Sequence, residues 1–197
     1  MTKIITISRQ FGSGGRTIGK EVAKELGIPC YDSELIEKVA EDSGFAHEYI
    51  REHGEYAAQT HWLGRALNSG AGLRESNQDI IWNAQRKAVI EVSKKGPCVI
   101  VGRCADYILR HKADLLTVFI HASLEKREER IVQVYGESDE MPAKRLRDKD
   151  KRRASYYKFY TDIEWGLAKN YDLCLDSGKF GIDKCVEIIK SLYESKE

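Results

Sequence analysis

Residues 4–17 read Ile4-Ile5-Thr6-Ile7-Ser8-Arg9-Gln10-Phe11-Gly12-Ser13-Gly14-Gly15-Arg16-Thr17. The isoleucine-rich part predicts a buried strand over residues 3–8, and helical spacing predicts a helix over residues 16–26. The glycine-rich turn between them (residues 9–17) can wrap backbone N–H groups around a phosphate at the positive end of the helix. The segment therefore predicts an anion site, with a flexible, solvated turn as the alternative.

Two phosphate-binding patterns compete for this turn. The dinucleotide pattern G-x-G-x-x-G matches Gly12 and Gly14 but meets Thr17 where its third glycine belongs. Asp32 supports this pattern, since it stands near the distance expected for a ribose-binding acid.

The P-loop pattern G-x-x-x-x-G-K-[ST] fits the same turn about equally well. It matches Gly15 and Thr17 but has Gln10 for its first glycine and Arg16 for its lysine. Neither pattern fits cleanly, so residues elsewhere in the chain are needed to distinguish the two.

Strand-like and helix-like segments alternate after the turn. The predicted strands cover residues 28–31, 97–101, 115–120 and 171–175. The predicted helices cover residues 34–41, 77–94, 124–134, 144–165 and 182–193. About five strands alternating with helices favour an α/β fold with a parallel sheet. The polar residues 43–75 interrupt this alternation and predict an inserted helical subdomain.

Composition excludes several classes of protein. The 197 residues are 42% hydrophobic and 32% charged with a net charge of +1, which suits one folded domain rather than a disordered chain. Near-neutral charge argues against a dedicated nucleic-acid binder, and no apolar run reaches the length of a membrane span. The five cysteines form no C-x-x-C pair, and the short apolar N-terminus lacks the features of a secretory signal. We therefore expect a reduced, cytoplasmic protein without structural zinc.

A basic cluster favours phosphoryl transfer over hydride transfer. Residues 144–153 contain seven lysines and arginines in ten positions, after a hinge-like stretch at residues 136–140. Most charge runs are solvated helix faces. A concentrated cationic segment is nevertheless what a triphosphate reaction needs, because charge moves across the bridging oxygens in the transition state. A dehydrogenase has no such need.

Arg103 stands directly after the third predicted strand. The carboxyl ends of parallel strands line the ligand crevice, so the glycine-rich turn, residues 32–33, residues 102–103 and residues 121–123 should meet there. A substrate phosphate is one partner for Arg103. An internal salt bridge to Asp32 or Asp106 is the alternative.

The chain resembles the cytidylate kinase-like branch of the P-loop nucleoside monophosphate kinases over nearly its whole length. The resemblance rests on the order and spacing of four segments. These are Ile5-Thr6-Ile7 with its turn and Tyr31-Asp32-Ser33; Val99-Ile100-Val101-Gly102-Arg103; Asp150-Lys151-Arg152-Arg153-Ala154; and Tyr171-Asp172-Leu173-Cys174-Leu175-Asp176-Ser177.

The resemblance implies a fold and a reaction. The fold is that of the P-loop NTPases: a single domain, residues 1–197, with a core at 1–42, 76–134 and 170–197, an NMP-binding insertion at 43–75 and a lid at 135–169. The reaction is transfer of the γ-phosphoryl group of ATP to a small-molecule nucleotide, CMP or dCMP, with Mg²⁺. The resemblance also leaves open a homo-oligomer.

The resemblance further implies roles for individual residues. Catalysis falls to Arg16, Arg103 and Arg153. ATP binding falls to Gly12, Ser13, Gly14, Gly15, Arg16, Thr17, Arg145, Arg147 and Lys149, with the Thr17 hydroxyl near Mg²⁺. Binding of the acceptor nucleotide falls to Ser33, Lys38, Arg103, Asp150 and Arg153.

Some positions depart from the family's pattern and keep other functions open. Without a gap, Gly15 occupies the P-loop lysine position, with Arg16 beside it, and Cys104 replaces the aspartate of Gly-Arg-Asp. Lys38 stands where an arginine often grips the substrate phosphate. These departures motivate two alternatives: a nucleotide-binding regulatory protein without turnover, and a P-loop kinase of a non-nucleotide small molecule.

Overall fold

A computed structural model describes residues 3–32, 77–136 and 140–195 of the chain. The predicted helix at 34–41 and the predicted insertion at 43–75 lie outside these described residues.

The described residues form a five-stranded, all-parallel sheet in the order β2-β3-β1-β4-β5. Its strands are β1 (Lys3–Arg9), β2 (Cys30–Tyr31), β3 (Cys98–Val101), β4 (Asp114–His121) and β5 (Leu173–Asp176). The central strand β1 pairs Ile5 with Val99 on one side and with Leu116 on the other. Because β1 leads into the glycine-rich turn, the turn lies at the middle of the sheet's carboxyl edge, where α/β proteins bind ligands.

Helices cover both faces of the sheet. They are α1 (Gly15–Leu26), α2 (Asn77–Lys94), α3 (Ala105–Leu109), α4 (Leu124–Tyr135), α5 (Pro142–Thr161), α6 (Ser177–Phe180) and α7 (Ile182–Glu194), with a 3₁₀ turn at Ala168–Asn170. On β1, Ile5 and Ile7 pack with α1 and α7, whereas Ile4 packs with α2, α3 and the end of α5. Full burial on both faces explains why β1 is a nearly continuous apolar run.

The predicted α/β class and parallel sheet are confirmed, with shifts at the element ends. The basic helix was predicted to reach residue 165, but α5 ends at Thr161 because Asp162 turns into the left-handed region at φ 57°. The short helices α3 and α6 were not predicted, since five and four residues are too few to show a helical period.

The aromatic residues at the end of α5 belong to the core. Tyr156 and Tyr157 are buried, and Tyr160 stacks on Trp82 of α2 with ring centroids 4.2 Å apart. The Tyr156 hydroxyl accepts a hydrogen bond from Nε2 of Gln85 at 2.6 Å. This half of the helix is therefore fixed against α2. Among the described residues, no helix has the length and apolar character to cross a membrane.

Candidate active site

A cleft of about 750 Å³ opens at the carboxyl edge of the sheet, above the glycine-rich turn. Two of its described lining residues are acidic, Glu21 and Asp32. The cationic lining residues are Arg9, Arg16, Lys20, Arg103, Arg130, Arg145, Lys149 and Arg153. This excess of positive charge in a concave site focuses the field on an anion and fits a polyphosphate.

The glycine-rich turn takes a shape that requires glycine at its centre. Gly12 has φ 78°, in the left-handed region, and a Cβ there would lie 2.9 Å from Cγ2 of Ile131 and 3.0 Å from Cδ2 of Leu146. Gly14, with φ 77°, is the N-cap of α1. The turn therefore carries the chain tightly into the helix and directs the free N–H groups of the first helical turn toward the cleft.

Serine side chains brace the turn from beneath. The Ser13 hydroxyl is buried and lies 2.9 Å from the carbonyl oxygen of Gln10 and 3.1 Å from that of Ile120. The Ser177 hydroxyl, from the start of α6, lies 2.6 Å from the carbonyl oxygen of Ser13. Ser13 thus directs its side chain into the protein and is not among the residues that line the cleft.

Helix α5 holds the other side of the turn. Asp150 accepts a hydrogen bond from the Phe11 N–H at 2.7 Å and forms an ion pair with the buried Arg127 of α4 at 2.5 Å. Nη1 of Arg153 donates to the carbonyl oxygen of Arg9 at 3.1 Å. The first residues of the glycine-rich turn, Arg9 to Phe11, are therefore tied to the basic helix.

Two cations approach the start of α1. Nε of Arg16 forms an ion pair with Asp32, and half of the Arg16 side chain remains exposed. Nη2 of Arg130, from α4, donates to the Thr17 hydroxyl at 3.0 Å. The Arg130 guanidinium also lies over Gly14, where a Cβ would be 3.2 Å from its Cζ.

The loop after β3, which forms a further wall of the cleft through Arg103, has an unusual backbone. Gly102, Arg103 and Cys104 follow β3 with φ values of 78°, 59° and 53°, so three consecutive residues are left-handed. Such conformations are costly for residues with a side chain and concentrate at functional sites. They place Arg103 in the cleft wall and at a second, small cavity of about 30 Å³.

A buried polar pair lies behind this wall. The Tyr157 hydroxyl donates to Oδ2 of Asp106 at 2.8 Å, and both residues are buried. Burial raises the pKa of Asp106 above its ordinary value, with the hydrogen bond from Tyr157 acting in the opposite direction. Burial also raises the pKa of the Tyr157 hydroxyl. The hydroxyl therefore stays protonated and can keep donating.

The structure brings most of the sequence-predicted residues together. Those that line the cleft are Gly12, Gly14, Gly15, Arg16, Thr17, Arg103, Arg145, Lys149 and Arg153. Arg147 does not line it: this exposed side chain donates from Nε to the carbonyl oxygen of Ala143 at 3.2 Å. Asp150 has a protein partner at each carboxylate oxygen. Ser33 and Lys38 lie outside the described residues. The roles of all of these residues stay predictions.

Sequence reasoning missed three arginines. Arg9 ends β1, and Arg127 and Arg130 lie three residues apart in the helix that follows β4. A signal existed, since residues just after β1 and β4 must lie at the same edge of a parallel sheet as the glycine-rich turn.

Comparisons with known proteins identify the family of the chain. Residues 4–179 match the sequence profile of the cytidylate kinase-like family. The cytidylate kinase of Archaeoglobus fulgidus is 30% identical over 198 residues, covering 98% of this chain and 96% of that protein.

Solved structures extend the comparison to the fold. An uncharacterised protein from Eubacterium ventriosum superposes with a TM-score of 0.72 at 26% identity, covering 98% of each chain. A shikimate kinase from Bacteroides thetaiotaomicron has a TM-score of 0.56 at 16% identity, covering 98% of this chain and 99% of that one. At that identity the second likeness concerns the fold alone.

Proposed function

The chain belongs to the cytidylate kinase-like family of nucleotide kinases, and we propose that it transfers the γ-phosphoryl group of ATP to CMP or dCMP. The observation that carries the proposal is the cationic cleft, which is lined by the glycine-rich turn together with Arg103 from the loop after β3 and Arg153 from α5. A kinase that joins two phosphate-bearing substrates needs positive charge for both of them.

The reaction is an exchange of one P–O bond for another. An oxygen of the acceptor's 5′-phosphate forms a bond to the γ-phosphorus while the bond from that phosphorus to the β–γ bridging oxygen breaks. ADP leaves with the bridging oxygen, and the acceptor becomes a nucleoside diphosphate. The protein forms no covalent bond in this step. Its catalysis therefore depends on positioning the two substrates and on stabilising the charge of the transition state.

The donor phosphates have their partners on the side of α1. The backbone N–H groups of residues 12–17 and the N-terminus of α1 supply donors and partial positive charge. Arg130 adds a full charge beside Thr17. We assign Arg16 the same side, held by Asp32.

We assign the acceptor phosphate to Arg103 and Arg153. Both arginines line the cleft, and together they can grip a phosphate through several donors. Ser33 and Lys38 complete the proposed acceptor site from the family resemblance. Asp150, on the same helix as Arg153, is proposed to bind the acceptor nucleotide as well.

The chain fits a Mg²⁺ ion that arrives with the nucleotide. No cluster of three or more potential ligating side chains is present in the described residues, so a protein-only metal cage is not available there. Mg²⁺ in kinases keeps waters and phosphate oxygens and needs few protein ligands. The Thr17 hydroxyl would hold it once Arg130 turns from that hydroxyl to the bound phosphates, with Asp32 in the same lining, and the ion would neutralise charge on the phosphates.

Closure of a lid is the remaining part of the proposal. Arg145 and Lys149 reach the cleft from the first half of α5, within the region proposed as the lid at residues 135–169. Bringing these charges onto the phosphates would exclude water that competes with the acceptor.

A coupled ADP-release assay tests the proposal. ATP and Mg²⁺ are supplied with CMP, dCMP, UMP, AMP or GMP, each against a no-acceptor control. We expect turnover with CMP and dCMP well above the other acceptors, and its loss in Arg153→Ala but not in Arg86→Ala, a matched change at an exposed arginine of α2. Preference for another nucleotide would overturn the proposed acceptor. Release of ADP that no nucleotide stimulates would overturn the proposed reaction.

A further inference from the structure

The Arg9 side chain runs from the glycine-rich turn to the backbone that follows β3. A Cβ placed on Gly15 would lie 2.5 Å from Cβ and 2.9 Å from Cγ of Arg9. A Cβ placed on Gly102 would overlap Nη1 of Arg9 and lie 3.1 Å from its Cζ. The aliphatic stem therefore begins against the glycine-rich turn, and the guanidinium ends at Gly102, the residue before Arg103.

The backbone around Arg9 is held in place at this crossing. Arg153 donates to the Arg9 carbonyl oxygen at 3.1 Å, and the N–H of the next residue, Gln10, donates to the carbonyl oxygen of Ile120 at 2.9 Å. Arg9 also lines both the large cleft and the small cavity, as do Arg103 and Arg153. Arg9 thus lies between the two spaces.

Two neighbouring cations, Arg16 and Arg130, lie at the start of α1. Arg16 is half exposed and paired with Asp32, and Arg130 lies on the Thr17 hydroxyl. Gly15 occupies the position at which a P-loop carries its lysine in the gapless alignment. The stem of Arg9 occupies the space that a side chain at position 15 would need.

We propose that Arg9 contacts the phosphoryl group in transit between donor and acceptor and supplies the positive charge that a P-loop lysine would supply. This inference rests on the proposed function. It explains why both Gly15 and Gly102 lack a side chain, since each leaves room for a different part of Arg9. A charge between the two sites stabilises the transition state, in which the transferred group belongs to both substrates.

Equilibrium binding of a bridging ligand tests the proposal without turnover. The probe is adenosine joined to cytidine through a 5′,5′-pentaphosphate, compared with ATP alone and with CMP alone. We expect Arg9→Ala to weaken binding of the bridging ligand by about tenfold to hundredfold, the range for losing a donor to a charged group. Binding of ATP alone and of CMP alone should change much less. Arg9→Lys keeps the stem and one charge and should recover part of the loss, while Arg86→Ala should change none of the three affinities.

Gly102→Ala provides an independent variant, because its new methyl group would occupy the space of the Arg9 guanidinium. Alone, it should reproduce the selective loss of the bridging ligand. Combined with Arg9→Ala, it should add little further loss, since the group that it displaces is already absent. Additive losses would contradict the placement of Arg9. Thermal melting of each variant accompanies the titrations, because Gly102 has φ 78° and alanine there carries a backbone cost.

The two proposals fail in different ways. If the wild-type protein binds the bridging ligand no more tightly than ATP, the proposed function is overturned and Arg9 loses its role with it. If the wild type binds the bridging ligand tightly and Arg9→Ala weakens ATP or CMP alone to the same degree, only the role of Arg9 is overturned. A selective loss of the bridging ligand supports it.

Discussion

The backbone N–H of Phe11 donates a hydrogen bond of 2.7 Å to Oδ1 of Asp150, which lies 139 residues further along the chain. The other carboxylate oxygen of Asp150 pairs with Nη1 of Arg127, and the same nitrogen lies 3.3 Å from the Phe11 carbonyl oxygen. The three residues form a closed triangle that joins the glycine-rich turn, α4 and α5. The turn's shape therefore depends on the basic helix as well as on its own glycines.

Asp150→Asn should destabilise the protein strongly. The amide oxygen can still accept from Phe11, but Arg127 would be left charged and buried with its carboxylate partner gone. Losing one partner of a buried ion pair costs about 3–5 kcal/mol. Urea unfolding followed by far-ultraviolet circular dichroism measures the change in the free energy of unfolding.

Asp148→Asn, two residues earlier on α5, is the control for that experiment and should stay within about 0.5 kcal/mol of the wild type. Equal stability of Asp150→Asn and Asp148→Asn would show that the Arg127 pair contributes nothing to folding.

Arg130→Met should raise the KM for ATP by about tenfold, because a charged donor beside the donor phosphates is lost. The methionine keeps an unbranched stem over Gly14, so the shape of the glycine-rich turn should persist. Lys126→Met removes an exposed positive charge from the same helix, where Lys126 pairs with Glu129, and serves as the control. Initial rates at varied ATP and saturating acceptor give the constant. A rise confined to the KM of the acceptor would show that Arg130 acts on the acceptor and not on ATP.

The fold and the edge that holds the site were predictable because both depend on local patterns. The apolar run of β1 and the helical period of α1 mark a strand–turn–helix unit, and Arg103 follows directly from the end of β3. Parallel pairing then sends every loop after a strand to one edge. For this reason the positions of Thr17 and Arg103 in the cleft could be expected.

The partners inside the site were not predictable because they join residues far apart in sequence. Nothing near Asp150 indicates that its carboxylate reaches the backbone of Phe11, and a charge run of this kind predicts only a basic face. Gly15 looks like a departure from a motif until the stem of Arg9 is seen to occupy its side-chain space. Sequence patterns report which residues share an element, whereas these pairings depend on how elements pack.

Arg103→Ala should raise the KM for the acceptor nucleotide more than the KM for ATP. Arg103 lines the cleft from the loop after β3, where we propose that the acceptor phosphate binds, so its loss should affect the acceptor first. Loss of one charged donor predicts a rise of about tenfold. Arg110→Ala, at an exposed arginine stacked on Tyr107 beyond α3, is the matched control. Equal rises in both KM values would refute an acceptor role for Arg103.

Asp106→Asn should remove part of the protein's loss of stability with rising pH. Burial raises the pKa of Asp106 in the folded state above its ordinary value of 3.8. Between 3.8 and the raised value, the folded protein binds more protons at this site than the unfolded chain does. Stability from this group is therefore fully present below 3.8 and falls as pH rises through the folded pKa, by at most about 1.4 kcal/mol per pH unit.

The asparagine variant cannot ionise, yet its amide oxygen can still accept from the Tyr157 hydroxyl, whose own raised pKa keeps it protonated over this range. The free energy of unfolding of both proteins should be measured from pH 3.5 upward in steps at constant ionic strength. The difference should move in favour of Asp106→Asn as pH rises and then become constant once the folded aspartate has ionised. Taking the difference cancels the titration of the other carboxylates, which the two proteins share. A difference that is flat across the whole range would mean that Asp106 has the same pKa in the folded and unfolded states.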